Sequence, residues 1–298
     1  MSAATAPLWR TIGGRDFAFD RHVAVMAIVN RTPDSFYDRG ATFALDAAVA
    51  AGRAAVAAGA EIIDVGGVKF APGPPVPVAD EVERVVPVVR ALAPLVPVSV
   101  DTFQPAVARA AIEAGAAIIN DTTGLRDPEM AAVIADSDAA VVVCHSLAVP
   151  RTQHPQPHYD DVVAEVGAFL RERVAHAEAH GIARDRIIID PGHDLNKNTL
   201  HSLEITRRLG EIAAEAPDLP LLVALSNKDF VGETLDRDRP DRLAGSLAAA
   251  VFCAQQGARI IRAHNVGETV DAMRMLEGIL GWREPAYLRH NMRPEGND

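Results

Sequence analysis

The chain has 298 residues, of which 49% are hydrophobic, 23% are charged and 5% are aromatic. These proportions exclude a disordered or collagen-like chain, and the length matches either one α/β barrel or two small domains. The net charge of −11 excludes a general affinity for nucleic acid or for an anionic membrane surface, although a few basic side chains can still line one anion pocket.

Short apolar runs rich in β-branched residues predict strands, and Ala/Leu-rich amphipathic stretches between them predict helices. The predicted strands are Val23–Asn30, Glu61–Gly67, Val96–Thr102, Ala117–Asp121, Ala140–His145, Arg186–Asp190, Leu219–Ser226 and Ala258–Asn265. The predicted helices are Ala44–Ala58, Glu81–Leu92, Pro105–Glu113, Asp160–His180, Leu200–Ala216, Arg242–Gln256 and Glu268–Leu280. A repeated order of strand and then helix implies parallel strands with right-handed crossovers.

Eight such units fit a closed (β/α)8 TIM barrel better than an open doubly wound sheet, which usually has fewer strands. We therefore predict a single-domain α/β protein. Its barrel spans 23–282, after a lead-in at 1–22 and before a polar tail at 283–298.

Polar residues lie at or near the end of every predicted strand, where a barrel of this kind places its chemistry. In chain order they are Asn30, Asp64, Asp101, Asn120, Asp121, His145, Asp190, Lys228, Asp229, Arg262 and His264. One such residue is more often a helix cap or a turn former than a ligand contact. A full set that follows eight apolar runs predicts one common pocket at the barrel mouth.

The residue types in this set indicate the kind of ligand. Acids at Asp101 and Asp190, an amide at Asn120 and an ammonium at Lys228 suit a planar heterocycle that has N–H donors on one edge and a carbonyl on another. Arg262 and His264 lie two apart on the last strand and face the same side, where barrels commonly bind phosphate.

The sequence also bears on metal binding and on the cellular compartment. Clusters of His, Cys and carboxylates with metal-ligand spacing do not occur, so the sequence supports at most a Mg²⁺ shared between Asn30 and a bound diphosphate. Cys144 and Cys253 lie in apolar runs and predict buried free thiols in a reduced compartment. Met1–Gly14 has no signal-peptide pattern and no apolar run reaches about 18 residues, so we expect a cytoplasmic protein.

Five motifs resemble the signatures of the dihydropteroate synthase family. They are Val25–Phe36, Ser99–Thr102, Ile119–Asp121, Ile189–Gly192 and Arg262–His264. The resemblance implies a pterin-binding barrel of folate biosynthesis, in which the amine of p-aminobenzoate displaces the diphosphate of a dihydropterin methyl diphosphate.

By motif position, the resemblance also implies roles for individual residues. The pterin would contact Asp101, Asn120, Asp190, Lys228 and Arg262. Asn30, Arg262 and His264 would hold the diphosphate during the reaction, with Mg²⁺ on Asn30. A homodimer formed through the late helices is implied as well.

The acceptor end of the predicted site departs from the family pattern. The family's second loop reads Gly-Gly-Glu-Ser-Thr-Arg-Pro-Gly, and its four central positions are here Val68, Lys69, Phe70 and Ala71. An aromatic position after the sixth strand is Leu195, and the Ser that meets the p-aminobenzoate carboxylate is Asp229. Two like charges about 4 Å apart repel by roughly 4 kcal/mol at an effective dielectric of about 20, which predicts roughly thousandfold weaker binding of this carboxylate.

Three functions stay open at this point. The first is a divergent second paralogue that binds the pterin diphosphate, with weak or lost condensation. The second is a working dihydropteroate synthase, and the third is a catalytically silent barrel that acts as an interaction partner. Two loops, Arg31–Gly40 and Val68–Asp80, are expected to be mobile because they have no periodic pattern.

Overall fold

Eight parallel strands close into a barrel in the computed structural model, which describes residues 8–31, 45–153 and 156–291. The barrel strands are β3 (Ala24–Asn30), β4 (Ile62–Gly66), β5 (Val98–Asp101), β6 (Ile118–Asp121), β7 (Ala140–Cys144), β8 (Ile187–Asp190), β9 (Leu221–Ala224) and β10 (Ala258–Ala263). They pair in chain order, and β10 pairs with β3 to close the barrel. The predicted (β/α)8 barrel is confirmed, and each strand keeps the core of its predicted range.

Ten α-helices are present in the described part of the chain. They are α1 (Leu45–Ala57), α2 (Val78–Leu92), α3 (Pro105–Glu113), α4 (Pro128–Ala135), α5 (Val162–Ala179), α6 (Thr199–Arg207), α7 (Leu209–Glu215), α8 (Asp229–Leu235), α9 (Leu243–Gln255) and α10 (Val266–Ile279). The prediction of one helix over Leu200–Ala216 was wrong, since the chain breaks at Arg208 into α6 and α7. The short helices α4 and α8 were not predicted, because each offers only two turns of periodic pattern.

An antiparallel hairpin lies in the lead-in and was also not predicted. Its strands are β1 (Trp9–Ile12) and β2 (Arg15–Ala18). Phe17 and Phe19 are almost completely buried and stack with ring centroids 5.3 Å apart. They pack with inward-facing barrel residues such as Met26 and Ile62 and so fill the end of the barrel opposite the strand carboxyl ends.

The strands alternate between two apolar layers, as the pleat of a barrel requires. Inward positions such as Ile118, Val142 and Leu222 form the barrel core, and outward positions such as Ile119, Val141 and Val223 pack under the helices. Toward the carboxyl ends the inward positions become polar, which places the candidate site at the mouth.

The fold shows the state of the two cysteines and the character of the described helices. Cys144 and Cys253 are buried free thiols, as predicted. Among the described helices, none has both the length and the hydrophobicity needed to span a bilayer. The predicted boundaries at 22 and 282 stay predictions.

Candidate functional site

Arg262 is the centre of a buried ion cluster inside the barrel mouth. Its Nε donates to Oδ2 of Asp64 at 2.6 Å, and its Nη2 donates to Oδ2 of Asp101 at 3.2 Å. Nδ2 of Asn120 donates to the same Asp64 oxygen at 3.3 Å. Four strands, β10, β4, β5 and β6, thereby contribute one side chain each to a single hydrogen-bonded group.

The charges in this cluster depend on one another. Burial would disfavour the Arg262 cation, but Asp64 and Asp101 more than offset this and raise its pKa, so Arg262 stays charged. Burial raises the pKa of Asp101, and the Arg262 charge opposes that rise. Removal of one member of such a group leaves an uncompensated buried charge, which costs about 3–5 kcal/mol.

Asn30 lies beside this cluster at the end of β3. A Cβ atom added to Gly66 would come within 3.1 Å of Oδ1 of Asn30 and within 3.8 Å of Cβ of Asp101. The glycine therefore leaves room for these two side chains to approach each other. Residues 32–40 of the predicted first loop, Arg31–Gly40, lie outside the described residues.

Asp190 ends β8, and Lys228 lies in the loop after the neighbouring strand β9. Oδ1 of Asp190 accepts from the backbone N–H of Gly192 at 2.7 Å, and Nζ of Lys228 donates to the backbone carbonyl of His193. Burial raises the pKa of Asp190 and lowers that of Lys228. Lys228 thus joins the loops that follow β8 and β9.

His264 follows β10 at the rim of the mouth. Its backbone N–H donates to Oγ of Ser226 at 3.2 Å. Desolvation and the charges of Arg262 and Arg239 lower the pKa of His264 to about 4, so the imidazole is neutral near pH 7. It can offer an anion a hydrogen bond but no charge.

A cavity of about 360 Å³ opens at this mouth. Its inner end is lined by Arg262, His264 and Lys228, and its outer end by Asp194, Leu195 and Asp229. The structure therefore brings three predicted diphosphate or pterin residues and two predicted acceptor residues to one cavity. Asp101, Asn120 and Asp190 do not line this cavity, although Asp101 bonds to Arg262 of its inner end.

The surroundings of Asp229 differ from the unpaired charge that the sequence predicts at this position. Its side chain is 83% exposed and its Oδ1 accepts from Nη1 of Arg242 at 2.9 Å. Because Arg242 balances Asp229 and water screens it, the predicted repulsion of roughly 4 kcal/mol is an upper bound. Asp229 alone therefore does not account for the exclusion of a carboxylate from the outer end of the cavity.

Two residues with left-handed backbone shape the loop after β8. Asp194 has φ of 61° and Asn196 has φ of 53°, a conformation that non-glycine residues rarely adopt. Oδ1 of Asn196 compensates by accepting from Oγ of Ser146 and the backbone N–H groups of Leu147 and Ala148, at 2.9 to 3.0 Å. The carboxylate of Asp194 bonds to α8, as described further below.

A buried lysine holds the same loop from behind. Nζ of Lys197 donates to Nδ1 of His145 at 2.8 Å and to the carbonyls of Gly192 and Leu195 at 2.9 and 3.0 Å. Burial lowers the pKa of Lys197 to about 7, and burial together with Lys197 lowers that of His145 to about 2. His145 is therefore neutral and accepts the hydrogen bond.

The second predicted loop is attached to Arg151, a residue of the segment after β7. The Arg151 guanidinium donates to the carbonyls of Ala71 at 3.0 Å and Pro74 at 3.1 Å. The backbone N–H of Arg151 donates to the carbonyl of Phe70 at 3.2 Å, and its carbonyl accepts from the N–H of Gly73 at 3.3 Å. The mobility predicted for this loop stays a prediction, but four hydrogen bonds restrain it.

The four substituted positions of this loop do not line the mouth cavity. Val68 and Lys69 line a separate cavity of about 260 Å³ together with Arg84 and Arg151, and Ala71 is exposed. The predicted acceptor set is thus split, with Leu195 and Asp229 at the mouth and the loop positions beside it.

Sequence reasoning missed three residues that organise the site, Asp194, Arg242 and Arg151, and assigned no role to a fourth. That residue is Asp64, a lone acid inside the otherwise apolar strand Ile62–Gly66, which the sequence placed in the pocket without identifying its partners. Arg242 lies in a charged stretch that gives no sign of its partner. Asp194 and Arg151 are identifiable only by their positive φ and their contacts, which the sequence does not reveal.

A metal has little support from the protein alone. Within the residues that the structure describes, no three His, Cys, Asp or Glu side chains are grouped so as to hold an ion. Asn30 offers one hard oxygen ligand, so the remaining ligands of a Mg²⁺ would have to come from the ligand and water.

Comparison with known proteins gives consistent matches over most of the chain. Residues 26–264 match the family described as "Pterin binding enzyme". The "Inactive dihydropteroate synthase 2" of Mycobacterium tuberculosis is 46% identical over 283 residues, covering 92% of this chain and 88% of that protein. The "Dihydropteroate synthase" of Escherichia coli is 43% identical over 266 residues, covering 88% and 94%.

A solved structure agrees with this. Xanthomonas albilineans dihydropteroate synthase with 4-aminobenzoic acid has a TM-score of 0.85 and 40% identity, covering 92% of this chain and 99% of that one. Because one relative is named inactive and another is not, at nearly equal identity, overall similarity does not decide the activity. The activity therefore has to be inferred from the side chains at the barrel mouth.

Proposed function

This chain belongs to the pterin-binding enzyme family and is a dihydropteroate synthase homologue, and from that premise we propose that it binds a dihydropterin diphosphate at the barrel mouth but condenses it with p-aminobenzoate weakly or not at all. The observation that carries the proposal is the contrast within one cavity. The inner end retains a hydrogen-bonded cluster around Arg262, while the outer end presents Asp194 and Asp229.

The inner end suits the pterin. Asp101 and Asp190 offer carboxylate oxygens to ring N–H groups, Asn120 can donate and accept, and Lys228 can donate to a ring carbonyl. Two carboxylates fix the orientation of the Arg262 guanidinium, whose planar face is then available to cover a ring. These assignments follow the motif positions.

The diphosphate would lie between β3 and β10. Arg262 and Lys228 supply positive charge, and neutral His264 supplies a hydrogen bond. Asn30 would hold Mg²⁺ through its amide oxygen, and the ion would neutralise diphosphate charge when bound. In the family's reaction an amine nitrogen forms the new bond to the pterin methylene carbon while the carbon–oxygen bond to diphosphate breaks, so these residues orient and stabilise the leaving group and no side-chain nucleophile is required.

A working dihydropteroate synthase is the second candidate. Two observations favour it, namely the pairing of Asp229 with Arg242, which reduces the repulsion of a carboxylate, and the 43% identity to the E. coli synthase. The inner end is the same for both candidates. Only the acceptor step separates them.

One assay distinguishes the candidates. The purified chain and the E. coli synthase are incubated side by side with dihydropterin diphosphate, Mg²⁺ and p-aminobenzoate, and dihydropteroate is measured by chromatography. We expect pterin diphosphate to bind, measured by calorimetry, and product to form at least about a hundredfold more slowly than with the E. coli enzyme. Product at a comparable rate would establish the second candidate, and absence of pterin binding would leave the silent interaction partner.

The proposal includes a cytoplasmic homodimer packed through the late helices. A groove of about 360 Å³ between α6, α8 and α9 is lined mainly by apolar side chains, including Leu235 and Phe252, which are 45% and 41% exposed. Phe252→Glu is expected to shift sedimentation from dimer to monomer. A wild-type chain that sediments as a monomer would contradict this part.

A further inference from the structure

The outer end of the mouth cavity has hydrogen-bond donors that a free carboxylate could use. The backbone N–H groups of Asp229 and Phe230 begin α8, and the cationic groups of Lys228 and Arg242 lie on either side. Charge-assisted hydrogen bonds from such groups are the strongest that a carboxylate acceptor can make. Whether they are available determines which acceptors can bind.

Asp194 already occupies the two backbone donors. Its Oδ2 accepts from the N–H of Asp229 at 2.8 Å and from the N–H of Phe230 at 3.3 Å. Its other oxygen, Oδ1, accepts from Oγ of Ser202 at 2.8 Å, which fixes the carboxylate in place. The Asp194 carboxylate therefore uses the backbone donors that a free carboxylate at this end of the cavity could otherwise accept from.

The neighbouring cations are engaged as well. Nη1 of Arg242 donates to Oδ1 of Asp229 at 2.9 Å and to the carbonyl of Asn227 at 3.0 Å. Nζ of Lys228 donates to the His193 carbonyl. Arg239 is left at the exposed rim, where water screens its charge.

The hydrogen bonds of the Asp194 carboxylate, rather than its backbone, support a dedicated role. Glycine adopts the φ of 61° at this position without strain, and aspartate tolerates it better than most other residues. The chain nevertheless places a carboxylate here and satisfies both of its oxygens.

We propose that Asp194 is a specificity-determining residue, an internal carboxylate that keeps free carboxylates out of the outer end and leaves the cavity selective for neutral aromatic amines. The proposal rests on the proposed function, because it concerns the acceptor end of the same site. An incoming carboxylate would have to displace Asp194 from two donors and then remain close to its negative charge.

The test compares two acceptors that differ only in charge, p-aminobenzoate and p-aminobenzamide. Each is titrated into the wild-type chain and into Asp194→Gly, both loaded with a non-reactive pterin diphosphate analogue that has a methylene in place of the ester oxygen. Ligand-observed NMR repeats the titrations on the free chains. Asp236→Gly is the matched control, since Asp236 is an exposed aspartate with φ of 53° at the other end of α8.

We expect the wild type to bind the amide at least about tenfold tighter than the carboxylate, and Asp194→Gly to strengthen carboxylate binding by at least about tenfold with little change for the amide. Asp194→Asn keeps the shape and one acceptor oxygen but removes the charge, so a smaller gain is expected. It also keeps the test decisive if the glycine variant does not fold.

Three results would overturn the proposal. They are a wild type that binds carboxylate as tightly as amide, an Asp194→Gly variant whose carboxylate preference is unchanged, and an equal change in Asp236→Gly. Failure of the analogue to bind the wild type would instead overturn the proposed function, and the titrations of the free chains would still decide the role of Asp194.

Discussion

The inner and outer ends of the mouth cavity are built in different ways. At the inner end, side chains from four barrel strands form one buried hydrogen-bonded group around Arg262. At the outer end, Asp194, Asp229 and Arg242 come from loops and helix starts, and Asp229 is largely exposed. A strand position is fixed by register with both neighbours, whereas a loop position can change with little effect on the barrel.

This difference explains how a family's ligand site can be kept while its acceptor site changes. A substitution at Arg262 or Asp64 would leave a charge unpaired in the core, so stability by itself constrains the inner end. A substitution of the exposed Asp229 at the outer end leaves no buried charge unpaired.

Arg262→Ala should have the largest effect, because it removes the charge that pairs with Asp64 and Asp101. We expect pterin diphosphate affinity to fall by more than about a hundredfold and the free energy of unfolding to fall by about 3–5 kcal/mol. Calorimetry and urea denaturation measure the two effects. Arg262→Lys is the control, and full recovery of both properties by lysine would argue against a planar, two-carboxylate role.

The opposite end of the barrel gives a second prediction, on stability alone. Nδ1 of His22 lies 2.8 Å from Oε1 of Glu277, and its Nε2 lies 2.7 Å from Oε2 of Glu61. Burial would lower the pKa of His22, but hydrogen bonds to Glu277 and Glu61 outweigh it and raise the pKa to about 9.

Because the folded-state pKa of His22 exceeds the ordinary histidine value of 6.5, its stabilisation is complete below pH 6.5 and is lost as pH rises through about 9. His22→Gln should therefore remove stability on the order of 2 kcal/mol at pH 6, with little difference from wild type above pH 9. Chemical denaturation across this range measures it. Pterin affinity at pH 7 should not change, and a parallel loss of affinity would show that the two ends of the barrel are coupled.

At the outer end, Asp229→Ala combined with Ala71→Arg should raise p-aminobenzoate affinity by about tenfold. The first change releases Arg242 from its partner, and the second restores a cation to the loop that follows β4. Calorimetry on the chain loaded with the non-reactive analogue measures the change. An unchanged affinity would mean that Asp194, and not these positions, controls the acceptor end.

The smallest effect is expected from Arg151→Ala. The change removes two side-chain hydrogen bonds to Ala71 and Pro74 on the surface, so we expect a loss of no more than about 1 kcal/mol in unfolding free energy. Hydrogen exchange should become faster in the second loop. Pterin affinity should remain within about threefold of wild type, and a larger loss would place this loop in the inner site.

The sequence predicts the barrel well because each strand is a short apolar run between longer amphipathic helices. Residues such as Arg262 and Asp101 could be located because they end those runs. Asp194 and Arg151 could not be located, since their importance depends on a left-handed backbone and on bonds to distant loops. The repulsion by Asp229 was overestimated, because its partner Arg242, 13 residues further along the chain, could not be identified from the sequence.

The most direct test of the contrast between the two ends is a pair of dissociation constants measured by calorimetry, with the E. coli synthase as the reference. The first is that of the pterin diphosphate analogue with Mg²⁺, and the second is that of p-aminobenzoate for the loaded chain. We predict a first constant within about tenfold of the E. coli enzyme and a second that is at least about a hundredfold weaker. Two constants that both match the E. coli enzyme would contradict the account.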